Sequence, residues 1–272
     1  MPEISVIMAT YNCESTLRRA VDSIFAQTYP DWELVVCDDC STDGTWDILC
    51  EYRRQRPDRV VLLKNEKNSK LPYSLNRCLE AARGEYIARM DGDDISLPER
   101  LEKQLNYLRA HPEYEVVGTS MLRFDDEGDY DKYEAVKDPC ARTLLMQVPF
   151  CHATILMRKR AYDALNGYTV AKRTERGQDL DLWFRFYAQG FAGNNLSEAL
   201  YKVCENRDAI RRRKLKYDVY ATQTRKLGFR LLDFPKSKHY LVYLPLISRL
   251  VPRRLKLYRR RRLAQKDAET TK

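Results

Sequence analysis

The chain has 272 residues, 44% hydrophobic and 32% charged, enough for one substantial α/β core with an appendage. Its start enters a strand-like run, Ile4-Ser5-Val6-Ile7-Met8, with no basic stretch or apolar leader, and the longest uncharged apolar run near its end, residues 240–248, is far short of the ~20 a spanning helix needs; secretion and a transmembrane anchor are not expected. The net charge of +9 is uneven: residues 205–272 hold 21 Lys/Arg against 6 Asp/Glu, and residues 1–204 hold 27 against 33.

Strand-like runs at 4–9, 33–37, 60–64 and 85–90 alternate with helical candidates at 14–27, 45–56 and 71–83. In the first helix Leu17, Ala20, Val21 and Ile24 recur at the i, i+3, i+4, i+7 spacing of one apolar face. Such alternation predicts βαβ units and a mostly parallel sheet, which binds ligands at the carboxyl ends of its strands. Three polar loops leave those ends: Thr10-Tyr11-Asn12, Asp38-Asp39-Cys40-Ser41 and Asp91-Gly92-Asp93-Asp94. A helix over 98–110 follows, with Leu101, Leu105 and Leu108 on one face. The stretch 116–156 reads as irregular, with a solvated, hairpin-like turn at Asp125-Asp126-Glu127-Gly128-Asp129. A further helix starts near Asp179 and runs through Trp183-Phe184-Arg185-Phe186.

The acidic loop carries the strongest chemical signal. Three carboxylates in four residues repel one another unless a cation compensates them, and Mg²⁺ or Mn²⁺ prefers oxygen ligands while leaving positions open for phosphate. Asp91-Gly92-Asp93 therefore reads as a D-x-D site that holds a metal against a diphosphate, with Gly92 allowing close backbone approach. Asp94 would touch sugar hydroxyls or cap the turn before Pro98. Asp39 could accept a hydrogen bond from a ring imide such as that of uracil, while Ser41, Thr42 and Asp43 are capping residues for the next helix. Tyr11 offers a face for a base. Asp179 and Asp181 diverge by ~200° on a helix, so only one can enter the pocket. Asp179 is the candidate general base.

Eight cysteines lack disulfide-scaffold spacing and read as reduced cytoplasmic thiols. Cys37-Asp38-Asp39-Cys40 has C-x-x-C spacing, but no second pair exists to complete a zinc site.

These motifs resemble, in order, those of the inverting family 2 glycosyltransferases of the GT-A fold. The likeness runs from residue 4 to about 204: Val6-Ile7-Met8-Ala9-Thr10-Tyr11-Asn12, Asp38 through Thr45, residues 68–76, Ala82 through Asp94, and Gln178-Asp179-Leu180-Asp181-Leu182-Trp183. Pro149-Phe150-Cys151-His152-Ala153-Thr154 and the ending after Trp183 look like bacterial exopolysaccharide or biofilm enzymes in particular. The resemblance implies that Thr10, Tyr11 and Asp39 hold the nucleoside, most often uridine. Asp91 would meet the ribose or donor sugar, Asp93 the metal, and Asn12 and Asp94 complete the donor side. Asp179 falls on the base position, with His152, Gln178 and Trp183 on the acceptor side. Two positions depart from the pattern. Gln178 replaces a glutamate, and Lys70 stands where glycine is common, where it could reach the diphosphate.

The absence of a Gln-x-x-Arg-Trp motif argues against a processive synthase. A sugar nucleotidyltransferase would carry a glycine-rich loop where Thr10-Tyr11-Asn12-Cys13 stands. A regulatory protein-interaction role, with partners in a polysaccharide assembly complex, would be added to these filled catalytic positions and would not replace them.

The domains expected are 1–204, nucleotide-sugar-binding and catalytic, and 205–272, a basic, partly amphipathic helical extension. Its clusters Arg211-Arg212-Arg213-Lys214 and Arg253 to Arg262 flank an apolar run, a pattern suited to an anionic membrane surface and, without a nucleic-acid module, not to nucleic acid. The expected activity is transfer of a sugar from a nucleotide donor, such as a UDP-sugar, to a lipid-linked saccharide. It would use Mn²⁺ or Mg²⁺ at the cytoplasmic face of the membrane.

Overall fold

A computed structural model describes residues 1–204 and 214–250. Nine strands form one sheet in the order β3-β2-β1-β4-β8-β6-β9-β5, with β7 pairing β6. The first half is the expected βαβ run: β1 (Ile4–Thr10), α1 (Glu14–Phe25), β2 (Trp32–Asp38), α2 (Thr45–Gln55), β3 (Val60–Lys64), α3 (Leu71–Ala81) and β4 (Tyr86–Asp91). Strands β1, β2, β3 and β4 are parallel. Both faces of β1 are covered, so it reads as a continuous apolar run without polar alternation. Val6 and Met8 pack with α1 residues Leu17, Val21 and Ile24, while Ile7 faces Leu75 and Cys78 of α3 on the other side. Burying each of these larger side chains stabilises by about 1.5–3 kcal/mol. The α1 stripe read from the sequence is the buried face.

The second half completes the sheet. It comprises β5 (Ile95–Ser96), α4 (Arg100–Ala110), β6 (Val116–Asp125), β7 (Gly128–Tyr133), β8 (Leu156–Arg158), α5 (Lys159–Ala164), α6 (Gln178–Ala188) and β9 (Gly193–Cys204). Here the stretch expected to be irregular contains a ten-residue strand, β6. Its apolar residues are interrupted by Gly118-Thr119-Ser120, which hides the pattern, yet all three are buried between β8 and β9. The acidic 125–129 turn is the exposed hairpin joining β6 to β7. Strand β9 gives no period-two signal because its register with β6 shifts twice near Thr119 and Ser120, and each shift changes which residues face inward.

The described part of the basic extension is not separate from this core. Helix α7 (Leu215–Leu231) lies on α6, and Phe229, Phe234, Leu241 and Val242 belong to the same apolar cluster as Trp183 and Phe184. Arg225 donates from Nη2 to the Leu145 carbonyl at 2.6 Å. A short helix, α8 (Leu244–Leu250), follows. The clusters at 211–213 and 253–262 lie outside the described residues. No described helix is long and apolar enough to cross a membrane.

Gly228 sets how closely α7 approaches α6, because a Cβ there would stand 2.1 Å from the Phe184 ring. Gly228→Val is therefore expected to destabilise the whole catalytic unit by about 1–3 kcal/mol, the usual cost of overpacking. Urea denaturation should show a lower midpoint in a single transition. An unchanged midpoint would mean that α7 is not part of the core.

Candidate active site

Parallel register delivers the three polar loops to one edge. Thr10 pairs with Asp38, and Ala9 with Asp91, so β1, β2 and β4 end side by side. Hydrogen bonds then stitch the loops together. The Asp39 amide donates to the Thr10 carbonyl at 2.8 Å, and the Thr16 hydroxyl to the Gly92 carbonyl at 2.9 Å. Asn12, in a left-handed turn at φ 50°, accepts the Thr42 amide on Oδ1 at 2.8 Å, while its own amide reaches Ser41 Oγ at 3.0 Å. Asn12 thus joins two loops. Asp43 accepts the Glu14 amide at 3.2 Å and the Thr45 amide at 3.1 Å, serving the starts of α1 and α2 together.

The nucleoside-side residues divide by exposure. Tyr11 is half exposed, its ring open at the end of β1, whereas Thr10 is buried. Asp39 is also buried, and both oxygens are engaged: Oδ1 accepts from Asn65 Nδ2 and the Ser69 amide, each at 2.7 Å, and Oδ2 from the Lys70 amide at 2.9 Å. The carboxylate expected to read a base therefore also fixes the loop before α3. Lys70 sits there at φ 76°, ψ 160°, a region that costs a non-glycine residue about 1–3 kcal/mol.

The acidic turn is built around a buried cation to which the sequence reading gave no role. Arg89 is 3% exposed and its guanidinium pairs with Asp91. The signal was available, since residues two apart on a strand share a face. Asp93 is exposed at the mouth, and its carboxyl is pushed up to about 6, first by desolvation among the loops and then by the charge of Asp91. Asp94 turns inward. It is 2% exposed, its Oδ1 accepts the Cys204 amide of β9 at 2.8 Å, and burial followed by its acidic neighbours raises its pKa well above the usual range. Asp94 thus ties the acidic turn to β9, as the buried Asp39 ties its own loop to the start of α3. Gly92 likewise has an internal reason: a Cβ would lie 3.1 Å from Cys13 Sγ.

Helix α6 begins after Gly177, whose φ of 116° turns the chain into the helix. Asp179 in its first turn is half-buried, and its pKa is raised, first by desolvation and also by Asp91, with partial relief from backbone amides and Arg89. Asp91, Arg89 and Asp179 thus share one electrostatic neighbourhood. Asp181 faces the other way, buried between Arg173 and Arg185, and accepts the Thr169 hydroxyl at 2.6 Å. The two aspartates split as their spacing requires, and Asp179 is the one without a side-chain partner among the described residues.

His152 is buried, with Nε2 2.7 Å from the Tyr168 hydroxyl, which is in turn 3.1 Å from that of Tyr162. Burial, then the charge of Arg89, hold its pKa well below the usual range, so the ring is neutral. Trp183 is wholly buried against Phe150, with ring centroids 4.6 Å apart, and Gln178 is 8% exposed. The expectation that Trp183 lines the acceptor side is corrected: it packs in the core beneath the site. The tyrosines were missed because nothing local marks residues that meet only through β8 and α5.

Among the described residues no group of three or more His, Cys, Asp or Glu could hold a metal by itself. Asp91 and Asp93 nevertheless fit Mg²⁺ or Mn²⁺, which commonly bind through one or two carboxylates plus substrate phosphates. Desolvation is the larger cause of the raised Asp93 pKa, and a cation would relieve the smaller part that comes from the charge of Asp91.

The model of the family described as glycosyl transferase family 2 matches residues 5–165. The chain belongs to that family. A putative glycosyltransferase, EpsE, from Bacillus subtilis is 46% identical over 92% of this chain and 90% of its own length. An Escherichia coli enzyme, WfaP, described as a UDP-Glc:α-D-GlcNAc-diphosphoundecaprenol β-1,3-glucosyltransferase, is 27% identical over 75% of this chain and 78% of its own. Among solved structures, Staphylococcus aureus TarS with UDP-GlcNAc superposes with a TM-score of 0.71, covering 90% of this chain and 71% of that one at 19% identity. A Pyrobaculum calidifontis mannosyltransferase with GDP-Man and Mn²⁺ superposes at 0.62, covering 90% and 70% at 20% identity. The fold is the expected α/β GT-A arrangement, and the family 2 glycosyltransferase is an enzyme.

Asp179→Asn is expected to lower turnover by about 10²–10⁴-fold with little change in stability. Asp181→Asn removes the carboxylate shared by Arg173 and Arg185 and should instead cost about 1–3 kcal/mol of stability. In the wild type the acid limb of kcat/KM should lie above the ordinary aspartate range near 3.9, because the base is lost as pH falls through a raised pKa. Normal turnover in Asp179→Asn would remove that residue from the chemistry.

Proposed function

We propose that the enzyme transfers one sugar per encounter, with inversion, from a nucleotide sugar, taken to be a UDP-sugar, to a lipid-linked saccharide in the assembly of an exported polysaccharide. The observation that supports this reading is that Asp91 and Arg89, which pair with each other, both act on the carboxyl of Asp179, with Asp93 two residues from Asp91. The nucleoside would lie against Tyr11 and the β2 end, near Thr10 and Asp39. Asp93, with Asp91, would hold Mn²⁺ or Mg²⁺, which when bound supplies positive charge for the departing diphosphate.

The protein's own residues account for the remaining steps. Asp179 accepts the proton of an acceptor hydroxyl, whose oxygen bonds to the anomeric carbon from the face opposite the nucleotide. The bond from that carbon to the donor phosphate oxygen breaks, and its electron pair leaves with the diphosphate. Desolvation raises the basicity of Asp179, which suits a general base. The WfaP description supports a lipid-linked acceptor, and the TarS complex supports a UDP-sugar donor.

The basic extension would hold the enzyme at the anionic, cytoplasmic face of the membrane. In support, exposed Leu227, Leu231, Tyr240, Tyr243 and Ile247 stand in a segment that also carries Lys226, Arg230, Lys236 and Lys238. A second reading, an added protein-interaction role, has no observation that favours it.

UDP with Mn²⁺ should raise the melting temperature, since a ligand at 100 times its Kd adds about 2.7 kcal/mol to the folded state. Asp93→Asn should lose the metal-dependent part of that rise; a full metal-dependent rise in Asp93→Asn would refute the assignment. Replacing Arg259, Arg260, Arg261 and Arg262 by serine should release the protein from anionic vesicles, at about 1 kcal/mol per basic residue. Undiminished vesicle binding would exclude that anchor.

A further inference from the structure

Lys70 stands in a backbone region that glycine enters freely and lysine does not, with φ 76° and ψ 160°. The turn persists because the buried Asp39 carboxylate takes the amides of Ser69 and Lys70, at 2.7 and 2.9 Å. Those bonds use only main-chain N–H groups, so glycine would form the same turn without strain. The lysine side chain does not repay that strain within the described fold: among the described residues its Nζ reaches only the neutral Asn68 Oδ1, at 2.7 Å. A residue kept at such a cost points to use outside the folded chain.

Facing it is the segment before α6. Between Ser69-Lys70 and residues 170–175 lies a cavity of about 200 Å³ that is also lined by Lys172 and Glu175. Lys172 makes no ion pair with any described residue, and Glu175 stands 3.9 Å from Lys216. The volume is below the ~300–1,000 Å³ of a pocket for a whole ligand, so it suits a substituent of a larger substrate. The cavity adjoins the loop held by Asp39 at the end of β2, the edge where open α/β sheets bind nucleotides.

We infer that Lys70 and Lys172 form an anion subsite for a phosphate or diphosphate group of a substrate, and that Asp39 holds Lys70 in its strained backbone for this purpose. The inference rests on the donor-and-acceptor reading above, because either substrate would bring a diphosphate. Lysine binds phosphate as a point charge without demanding a fixed fork geometry, which suits a lysine reaching in from each wall.

The test compares wild type with Lys70→Gly and Lys172→Gln by calorimetry, using UDP, uridine and geranyl diphosphate as separate probes. Unliganded Lys70→Gly should melt at or above the wild-type temperature, since the latch to Asp39 is kept and the strain removed. Its UDP affinity should fall about tenfold while uridine binding is unchanged, and Lys172→Gln should weaken the same probe. Unchanged UDP binding with a tenfold loss for geranyl diphosphate would assign the subsite to the acceptor's diphosphate. Equal loss for UDP and uridine would overturn the inference, because Lys70 would then only shape the loop. No loss for either diphosphate would overturn it too. Failure of the donor reading looks different: wild-type protein would itself bind no UDP.

Discussion

The buried guanidinium of Arg89 pairs with Asp91 and acts at longer range on Asp93 and Asp179, and the charge balance of the acidic turn depends on it. Arg19 acts on Asp93 as well, and the buried Arg100 feels Asp94. Even so, Asp93 rises to about 6, and Asp94 and Asp179 also rise, with desolvation the largest cause in every case. Arg89 itself is held strongly protonated, since the attraction of Asp91 outweighs its burial. Asp93 is exposed at the outer side of the turn, where the proposed cation would add positive charge, and Asp179 is half-buried in the first turn of α6.

The fold supplies this arrangement at little local cost. Parallel strands end in register, so side chains from β1, β2 and β4 arrive together. Asp43 and Asn12, although they lie at the mouth, spend their polar groups on loop amides. Asp39 does the same for the loop before α3. These loops are therefore tied to one another by the protein's own hydrogen bonds, which would reduce the ordering entropy that binding of the proposed donor must overcome. The same economy explains why helix α7 docks on α6: it buttresses the element that carries Asp179, through Gly228 and Phe184.

The parallel half of the sheet was legible because its strands are short apolar runs and its helices carry unbroken apolar stripes. Strands β6 and β9 were not, since buried polar residues interrupt the first and register shifts scramble the second. In the site, the acidic turn stood out because carboxylates at that density need a reason, and Asp179 because its spacing from Asp181 sends the two to different sides of the helix. The direction in which each side chain points could not be read. Asp94 and Trp183 look like surface chemistry in the motif and lie inside the molecule, because tertiary packing by β9 and by Phe150 decides their orientation. Arg89 could have been found from strand alternation alone. The strained backbone at Lys70 had a visible trace, a lysine where glycine is common, but only coordinates reveal the carboxylate that holds it.

On the proposed reading a cation and a diphosphate lie between the acidic turn and Asp179. Crystals soaked in UDP and Mn²⁺, measured at the manganese absorption edge, address it directly. A single anomalous peak is expected, bonded to Asp93 and to phosphate oxygens, on the side of the turn nearer Asp179. Manganese bound away from that turn, or UDP lodged on another flank of the molecule, would contradict it.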